Sequence, residues 1–92
     1  KLIAIDPNIP KYFGLLGEIE ISKGNIEKSE EYLYKAVSLN TSNALTYNAY
    51  AKILIEKSEL TLAQKLNERA LALDPGNKDF LDTKITIEEK LR

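Results

Sequence analysis

A repeat of 34 residues is the feature that most restricts how this chain can fold. The same motif, an aliphatic helix end followed by Asp-Pro, occurs at residues 3–8 (IAIDPN) and 70–77 (ALALDPGN). The two prolines, Pro7 and Pro75, are 68 residues apart, which is twice 34. A shift of 34 residues also aligns side chains of like size or polarity, among them Ile19 with Ile53, Lys23 with Lys57, Ala36 with Ala70 and Leu39 with Leu73. Units that recur at this interval are expected to share one fold and to stack on each other.

Within each unit the apolar residues recur with the period of an α-helix. Phe13, Leu16 and Gly17 stand at positions i, i+3 and i+4, and residues 47, 50 and 51 repeat this spacing. A second helix follows in each unit, and in the first unit its buried stripe is predicted to contain Ile26, Ser29, Leu33 and Ala36. The predicted helices are 10–23, 25–39, 44–57, 59–73 and 78–91, and residues 1–5 are expected to be the last turn of a preceding helix.

The turns inside the two hairpins differ in quality. Gly24 is a good helix stop and Asn25 a good helix start. In the second unit the same positions hold Ser58 and Glu59, where Ser58 is expected to cap the following helix. Small residues stand where the two helices of a hairpin must approach most closely, namely Gly17, Ser29 and Ala36 in the first unit and Ala51, Ala63 and Ala70 in the second.

These positions resemble the tetratricopeptide repeat (TPR), whose pattern is W-x2-L-G-x2-Y, then A-x3-F, then P. The first unit reads Phe13-x2-Leu16-Gly17-x2-Glu20, Ser29-x3-Leu33, Ala36 and Thr41; the second reads Tyr47-x2-Tyr50-Ala51-x2-Leu54, Ala63-x3-Asn67, Ala70 and Pro75. Glu20 and Asn67 replace the usual aromatics, which suggests thinner packing at these two points. The resemblance implies an all-α fold, a right-handed α–α superhelix. Its parts would be the end of a preceding repeat (1–9), repeat one (10–43), repeat two (44–77) and a terminal solvating helix (78–92).

The two ends of the array carry separate expectations. On the last helix, Leu81 and Ile85 are expected to face repeat two while Lys84 and Glu88 meet water, so that the helix caps the array. The alternative is that another helix follows. At the other end, the face formed by Phe13 and Leu16 is expected to be poorly covered, which predicts partial dimerisation.

The composition lacks the parts from which most catalytic sites are built. The 92 residues contain no Cys and no His, and therefore no thiolate nucleophile and no imidazole base. There is no glycine-rich phosphate loop and no metal-ligand spacing. The sequence therefore predicts a protein that is not an enzyme, with no catalytic residues, metal or cofactor.

The charge balance and hydropathy also narrow the range of partners. Thirteen basic and fourteen acidic residues give a formal net charge of −1, which provides no concentrated positive field for nucleic acid. No apolar run approaches the ~18 residues of a membrane-spanning helix, so no membrane contact is expected from this segment. The sequence does not assign a compartment.

The expected binding surface is the concave wall formed by the first helix of each unit, because walls of this kind bind extended peptides or partner helices. The candidate partner-binding residues lie opposite the packing stripe and are Lys11, Glu18, Ile21, Leu45, Asn48, Lys52, Ile55 and Asp82. The predicted function is that of a scaffold or adaptor segment of a larger protein, with a protein or peptide partner. Homo-oligomerisation is the main alternative, and RNA binding by a related helical repeat is a further one.

Relatives that bind the carboxylate tail of heat-shock chaperones carry Lys, Asn and Arg at defined places on three inner helices. The matching places here hold Gly14, Glu18, Ala49, Asp79 and Thr83. Because the cations are missing and the acidic groups repel a carboxylate, capture of such a tail is not expected.

Overall fold

The computed structural model describes residues 10–92, which form five α-helices and no β-strand. The helices are α1 (Pro10–Ser22), α2 (Ile26–Ser38), α3 (Ala44–Glu56), α4 (Leu60–Leu73) and α5 (Lys78–Leu91). The predicted ends of these helices differ from the observed ends by at most one residue. The helix turn predicted at residues 1–5 lies outside the described residues.

The helices pack as a stack of hairpins. α1 pairs with α2 and α3 pairs with α4, and α2 and α4 each contact the helix that follows. α3 also contacts α1 on one side and α5 on the other. Within residues 10–92, no Cα atom of α1 or α2 lies within 8 Å of one in α4 or α5. Each hairpin thus meets only its neighbour, which confirms the predicted all-α helical repeat and rules out a closed bundle for this part of the chain.

Three turns end their helices in the same way, with one residue at positive φ. Gly24 has a φ of 81°, and Asn40 and Ser58 have φ values of 60° and 64°. In each turn the amide of the next residue donates to the carbonyl five positions before it, over 2.9, 3.1 and 2.8 Å. This bond belongs to the C-terminal end of a helix. Ser58 therefore ends α3, and the prediction that it caps α4 is wrong, because Glu59 stands at the N-cap.

α1 and α2 approach most closely at Gly17. A Cβ atom at this position would lie 2.6 Å from Cδ2 of Leu33, well inside ordinary contact distance. The hydroxyl of Ser29 donates to the carbonyl of Gly17 over 2.8 Å. In repeat two the corresponding Ala51 and Ala63 are completely buried. The predicted small-residue contacts between paired helices are therefore present in both hairpins.

Asn67 stands at a position that is usually aromatic and makes a buried hydrogen bond there. The residue is 2% exposed, and Nδ2 donates to the backbone carbonyl of Phe80 over 2.9 Å. This bond joins α4 to α5. The amide thus supplies a hydrogen bond where an aromatic ring would supply contact area, and the thinner packing expected at Asn67 stays a prediction.

The loop between the two repeats is held by Tyr47. Its hydroxyl donates to the backbone carbonyl of Thr41 over 2.7 Å and accepts from Nη2 of Arg69 over 3.2 Å. The Arg69 guanidinium also lies over the Tyr47 ring, 5.1 Å from its centroid. One side chain of α3 thus links the loop before it to the helix after it.

α5 packs on repeat two through a different face from the one predicted. Its buried side chains are Phe80, Thr83 and Ile87, whereas Leu81 and Ile85 are 40% and 52% exposed. The prediction that Leu81 and Ile85 face repeat two is wrong. By the 34-residue shift, the buried face corresponds to positions 46, 49 and 53, with which α3 meets the preceding repeat. The exposed face corresponds to positions 47 and 51, with which α3 meets its own partner helix.

The same distinction corrects the prediction for α1. Phe13 and Leu16 are half-buried, and the Phe13 ring stacks on Tyr32 of α2 with 6.4 Å between centroids. The most exposed apolar side chains of α1 are instead Leu15 and Ile19, which are 48% and 52% exposed. Phe13 and Leu16 belong to the contact within the hairpin and are therefore covered.

Candidate functional site

A groove of about 560 Å³ runs along one face of α3. Leu45, Asn48, Lys52 and Glu56 recur along α3 at intervals of three and four residues, so they share this face of the helix. α3 provides the floor because it is the helix with neighbours on both sides, α1 and α5. The full lining consists of Glu18, Ile21, Ile26, Leu45, Asn48, Ala49, Lys52, Ile53, Glu56, Lys57 and Asp79. We call this surface the α3 groove. Its volume is typical of sites that bind small molecules or peptide side chains.

Asn48 lies on the floor of the α3 groove and carries an unsatisfied polar atom. The residue is only 6% exposed, and its Oδ1 has no hydrogen-bond partner in the described structure. A buried acceptor without a partner costs about 1–3 kcal/mol. Rotation about the terminal χ2 bond exchanges the oxygen and nitrogen of the amide, so the same side chain can accept from or donate to a bound group.

Apolar side chains surround this amide. Ile21 and Ile26 are 36% and 45% exposed, and Leu45 is 55% exposed, although each lines the groove. Ile53 is 5% exposed and completes the floor. An apolar surface with one convergent amide is the arrangement expected of a binding site rather than of a merely solvated helix face.

The charged groups of the α3 groove are mainly at its edges. Lys52, Glu56 and Asp79 are exposed, and Glu18 is half-buried. Lys57 is paired outside the groove, because its Nζ donates to Oε1 of Glu30 over 2.8 Å.

Two ionisable groups beside the groove have shifted pKa values. The hydrogen bond to Glu30 raises the pKa of Lys57 above its ordinary value. Burial raises the pKa of Tyr50, and the nearby Glu30 carboxylate adds to this effect. Both shifts keep these side chains in their protonated forms at neutral pH, so neither group is prepared to act as a base there.

The structure places five of the predicted partner-binding residues together in the α3 groove: Glu18, Ile21, Leu45, Asn48 and Lys52. The other three are elsewhere. Lys11 and Asp82 are exposed outside the lining, and Ile55 is half-buried and packs against the core. The structure thus brings together three of the four predicted residues of α3 with two from α1, and places the other three predicted residues outside the lining.

Sequence reasoning missed part of the lining. Ile26 was predicted to be buried on α2, but it stands at the first position of that helix and is 45% exposed at the groove edge. Its position directly after the Gly24 turn was the available signal, since the first turn of a helix often extends past its partner. Lys57 is the C-cap of α3, so helical periodicity does not predict which way its side chain points.

Residues 10–92 contain neither a metal-binding cluster nor a membrane-spanning helix. No group of three or more His, Cys, Asp and Glu side chains there is arranged to hold a metal ion. None of the five described helices is long and apolar enough to cross a membrane.

Stacked helix hairpins with a groove along an inner helix define the class of helical-hairpin repeat proteins. A family model described as "Tetratricopeptide repeat" matches residues 10–43, which contain α1 and α2, and α3 and α4 repeat the same hairpin. Residues 10–43 thus match the tetratricopeptide repeat. Repeats of this family generally mediate protein–protein interaction or scaffolding and are typically non-catalytic.

The chain is also similar to the cellulose synthase operon protein C of Pseudomonas fluorescens (strain SBW25). The two are 30% identical over 89 residues, which is 97% of this chain but 7% of that protein. The chain thus spans a small part of the length of this curated relative.

Proposed function

We propose that this chain is a non-catalytic protein-interaction module that binds a peptide segment of a partner in the α3 groove, as a scaffold or adaptor part of a larger protein. The observation that carries the proposal is the buried, unpartnered Oδ1 of Asn48 on an otherwise apolar floor. Folding alone leaves this acceptor unsatisfied, whereas a backbone N–H of a bound peptide satisfies it after rotation of the amide. Exposed apolar side chains beside it would contact the partner's side chains.

The test is a selection of random peptides displayed on phage against the folded chain. The groove variant is Leu45→Ser, and the matched control is Leu62→Ser, since both leucines are exposed on helices and only Leu45 lines the groove. We expect the selected peptides to bind the native chain and the Leu62→Ser variant equally and to lose about ten-fold in affinity for Leu45→Ser, as for removal of a central apolar contact. Equal binding to both variants would place the working surface elsewhere.

Self-association is the second candidate, and the exposed Leu15 and Ile19 on α1 favour it. The 34-residue shift relates Leu15 and Ile19 to positions 49 and 53 of α3, which are half-buried and buried. The equivalent face of α3 packs against a neighbouring hairpin, so this face of α1 is suited to the same kind of contact. Sedimentation equilibrium of the native chain and of a Leu15→Ser/Ile19→Ser variant tests it. A native mass that rises with concentration, and a variant that stays monomeric, would support this function.

A further inference from the structure

Carboxylates outnumber ammonium groups in the lining of the α3 groove, and this excess affects which partners the groove can bind. Three carboxylates line it, on Glu18, Glu56 and Asp79, against two ammonium groups on Lys52 and Lys57. Because Lys57 is paired with Glu30, three carboxylates face one unpaired ammonium group within the described lining. The acidic groups come from three different helices, α1, α3 and α5, so they surround the apolar floor rather than forming one patch on a single helix.

We infer that the occupant of the α3 groove is a peptide whose apolar side chains alternate with lysine or arginine. This inference rests on the proposed function and adds the chemistry of the partner. Ile21, Ile26 and Leu45 provide the apolar contacts, and the surrounding carboxylates attract the cations. The amide of Asn48 lies on the floor between these groups, and its oxygen is buried without a partner. After rotation of this amide, a backbone N–H of the peptide can donate to the oxygen while the cationic side chains of the peptide reach the carboxylates.

The dimensions of the groove fit a short extended segment. Leu45 and Glu56, the first and last lining residues of α3, are eleven positions apart. At 1.5 Å per residue this is about 16 Å of helix. An extended chain covers about 3.3 Å per residue, so about five residues of the partner span the floor. Side chains on one face of such a segment point to the floor and those on the other point to the edges and solvent.

The same charges oppose the other partner classes. A carboxylate tail would meet the carboxylates of Glu18 and Asp79, which repel it. A nucleic acid would bring its phosphates to a lining in which carboxylates outnumber ammonium groups. Nucleic-acid binding depends on Lys and Arg side chains that neutralise phosphates and release their counterions, so this lining does not favour it. Lys52 remains as one cation of the lining, and its ammonium group can donate to a backbone carbonyl of a bound peptide.

The experiment uses three fluorescein-labelled peptides with the same alternating Leu and Ile framework. Their intervening positions carry Arg in one peptide, Ser in the second and Asp in the third. Affinities come from fluorescence anisotropy at low and at high salt. The side-chain amide resonances of Asn48, observed by two-dimensional NMR, report whether a peptide reaches the groove floor. The groove variant replaces the three lining carboxylates with their amides: Glu18→Gln, Glu56→Gln and Asp79→Asn.

A matched control replaces three exposed carboxylates outside the groove, namely Glu27→Gln, Glu31→Gln and Glu88→Gln. It changes the net charge by the same amount, so long-range attraction falls equally in both variants. We expect the Arg peptide to bind the native chain about ten-fold more tightly than the Ser peptide, with the difference reduced at high salt. The groove variant should lose this preference, the control should keep it, and the Asn48 resonances should shift on binding.

Three other results overturn the inference in distinguishable ways. If the Ser or Asp peptide binds as tightly as the Arg peptide, shifts Asn48 and is weakened by Leu45→Ser, the groove binds peptides but does not select cations. The inference then fails while the proposed function stands. If Asn48 does not shift with any peptide, both fail. Loss of the Arg preference in the control variant, but not in the groove variant, would place the cation-binding surface elsewhere.

Discussion

Replacement of Gly17 by alanine tests whether the close approach of α1 and α2 is a packing requirement. The added Cβ would lie 2.6 Å from Cδ2 of Leu33, so this side chain would have to retreat by 0.8 Å to reach the 3.4 Å of ordinary contact. Leu33 is completely buried, so its side chain cannot retreat into solvent. Overpacking of this kind costs about 1–3 kcal/mol. Alanine gains about 1 kcal/mol over glycine inside a helix, which opposes part of the loss.

The hydrogen bond from Ser29 to the Gly17 carbonyl is also at risk, because it crosses the same contact. A lost bond adds about 1 kcal/mol. We therefore expect Gly17→Ala to lower the free energy of unfolding by about 1–3 kcal/mol. For a domain of this size the corresponding fall in Tm is roughly 4–24 °C. Urea and thermal unfolding followed by circular dichroism measure both quantities.

A double-mutant cycle with Leu33→Ala makes the prediction specific. Leu33→Ala alone should cost about 2–5 kcal/mol, and sucrose can be added to all samples if the variant is too unstable to study without it. In that background the methyl group at position 17 meets no Cδ2, so Gly17→Ala should become stabilising by about 1 kcal/mol through helix propensity. A Gly17→Ala effect of the same sign and size in both backgrounds would refute the packing argument. Gly76→Ala is the control, since a Cβ there meets nothing within 4 Å.

Three further predictions concern polar groups and backbone strain. Thr46→Val should raise the free energy of unfolding by up to about 1 kcal/mol, because Oγ1 of Thr46 is buried without a partner in the described structure. Urea unfolding measures this change, and a decrease in the free energy of unfolding would mean that the hydroxyl is hydrogen-bonded. Ser58→Gly should raise the free energy of unfolding by about 1 kcal/mol, because a residue with a side chain is strained at a φ of 64°. An unchanged free energy of unfolding in the same assay would show that the strain is absent. The raised pKa of Tyr50 means that its proton is held more tightly in the folded state, so its contribution to stability is full below about pH 10 and is lost as the pH rises through the folded-state value. Urea unfolding from about pH 9 to about pH 11 should therefore show a weaker alkaline decline for Tyr50→Phe than for the native chain, and equal slopes would contradict the assignment.

The helix ends and the close contacts were predictable because single residues determine them. Gly24 ends α1 by adopting a φ that other residues adopt at a cost, and Gly17 permits a helix contact that any Cβ would obstruct. The prediction for Ser58 was wrong for a related reason. A serine before a helix is typical of an N-cap, but here the hydrogen-bond pattern of the preceding turn needed this position to end α3 first.

The errors at the two ends of the stack have one physical cause. Each first helix of a hairpin has two apolar faces, one toward its own partner and one toward the preceding repeat. Helical periodicity finds apolar residues but does not say which neighbour covers them. Phe80 and Ile87, buried against repeat two, stand one position before and two after the exposed pair Leu81 and Ile85. Since one residue turns the helix by about 100°, this offset separates a buried face from an open one.

Which residues line the groove depends on how neighbouring repeats pack, and the sequence of one repeat does not contain this information. A groove needs a floor helix with a neighbour on each side, and within the described residues α3 is the inner helix that has both. Predicted residues on α3 such as Asn48 and Lys52 therefore enter the groove, whereas Lys11 on α1 and Asp82 on α5 are exposed outside its lining. Thr46 and Asn48 make the same point at atomic scale. Each buries an unpartnered oxygen, and they stand only two positions apart on α3, yet Thr46 lies against Gly14 of α1, while Asn48 lines the groove. The packing of the neighbouring helices, rather than the residue type, decides which of the two a partner can reach.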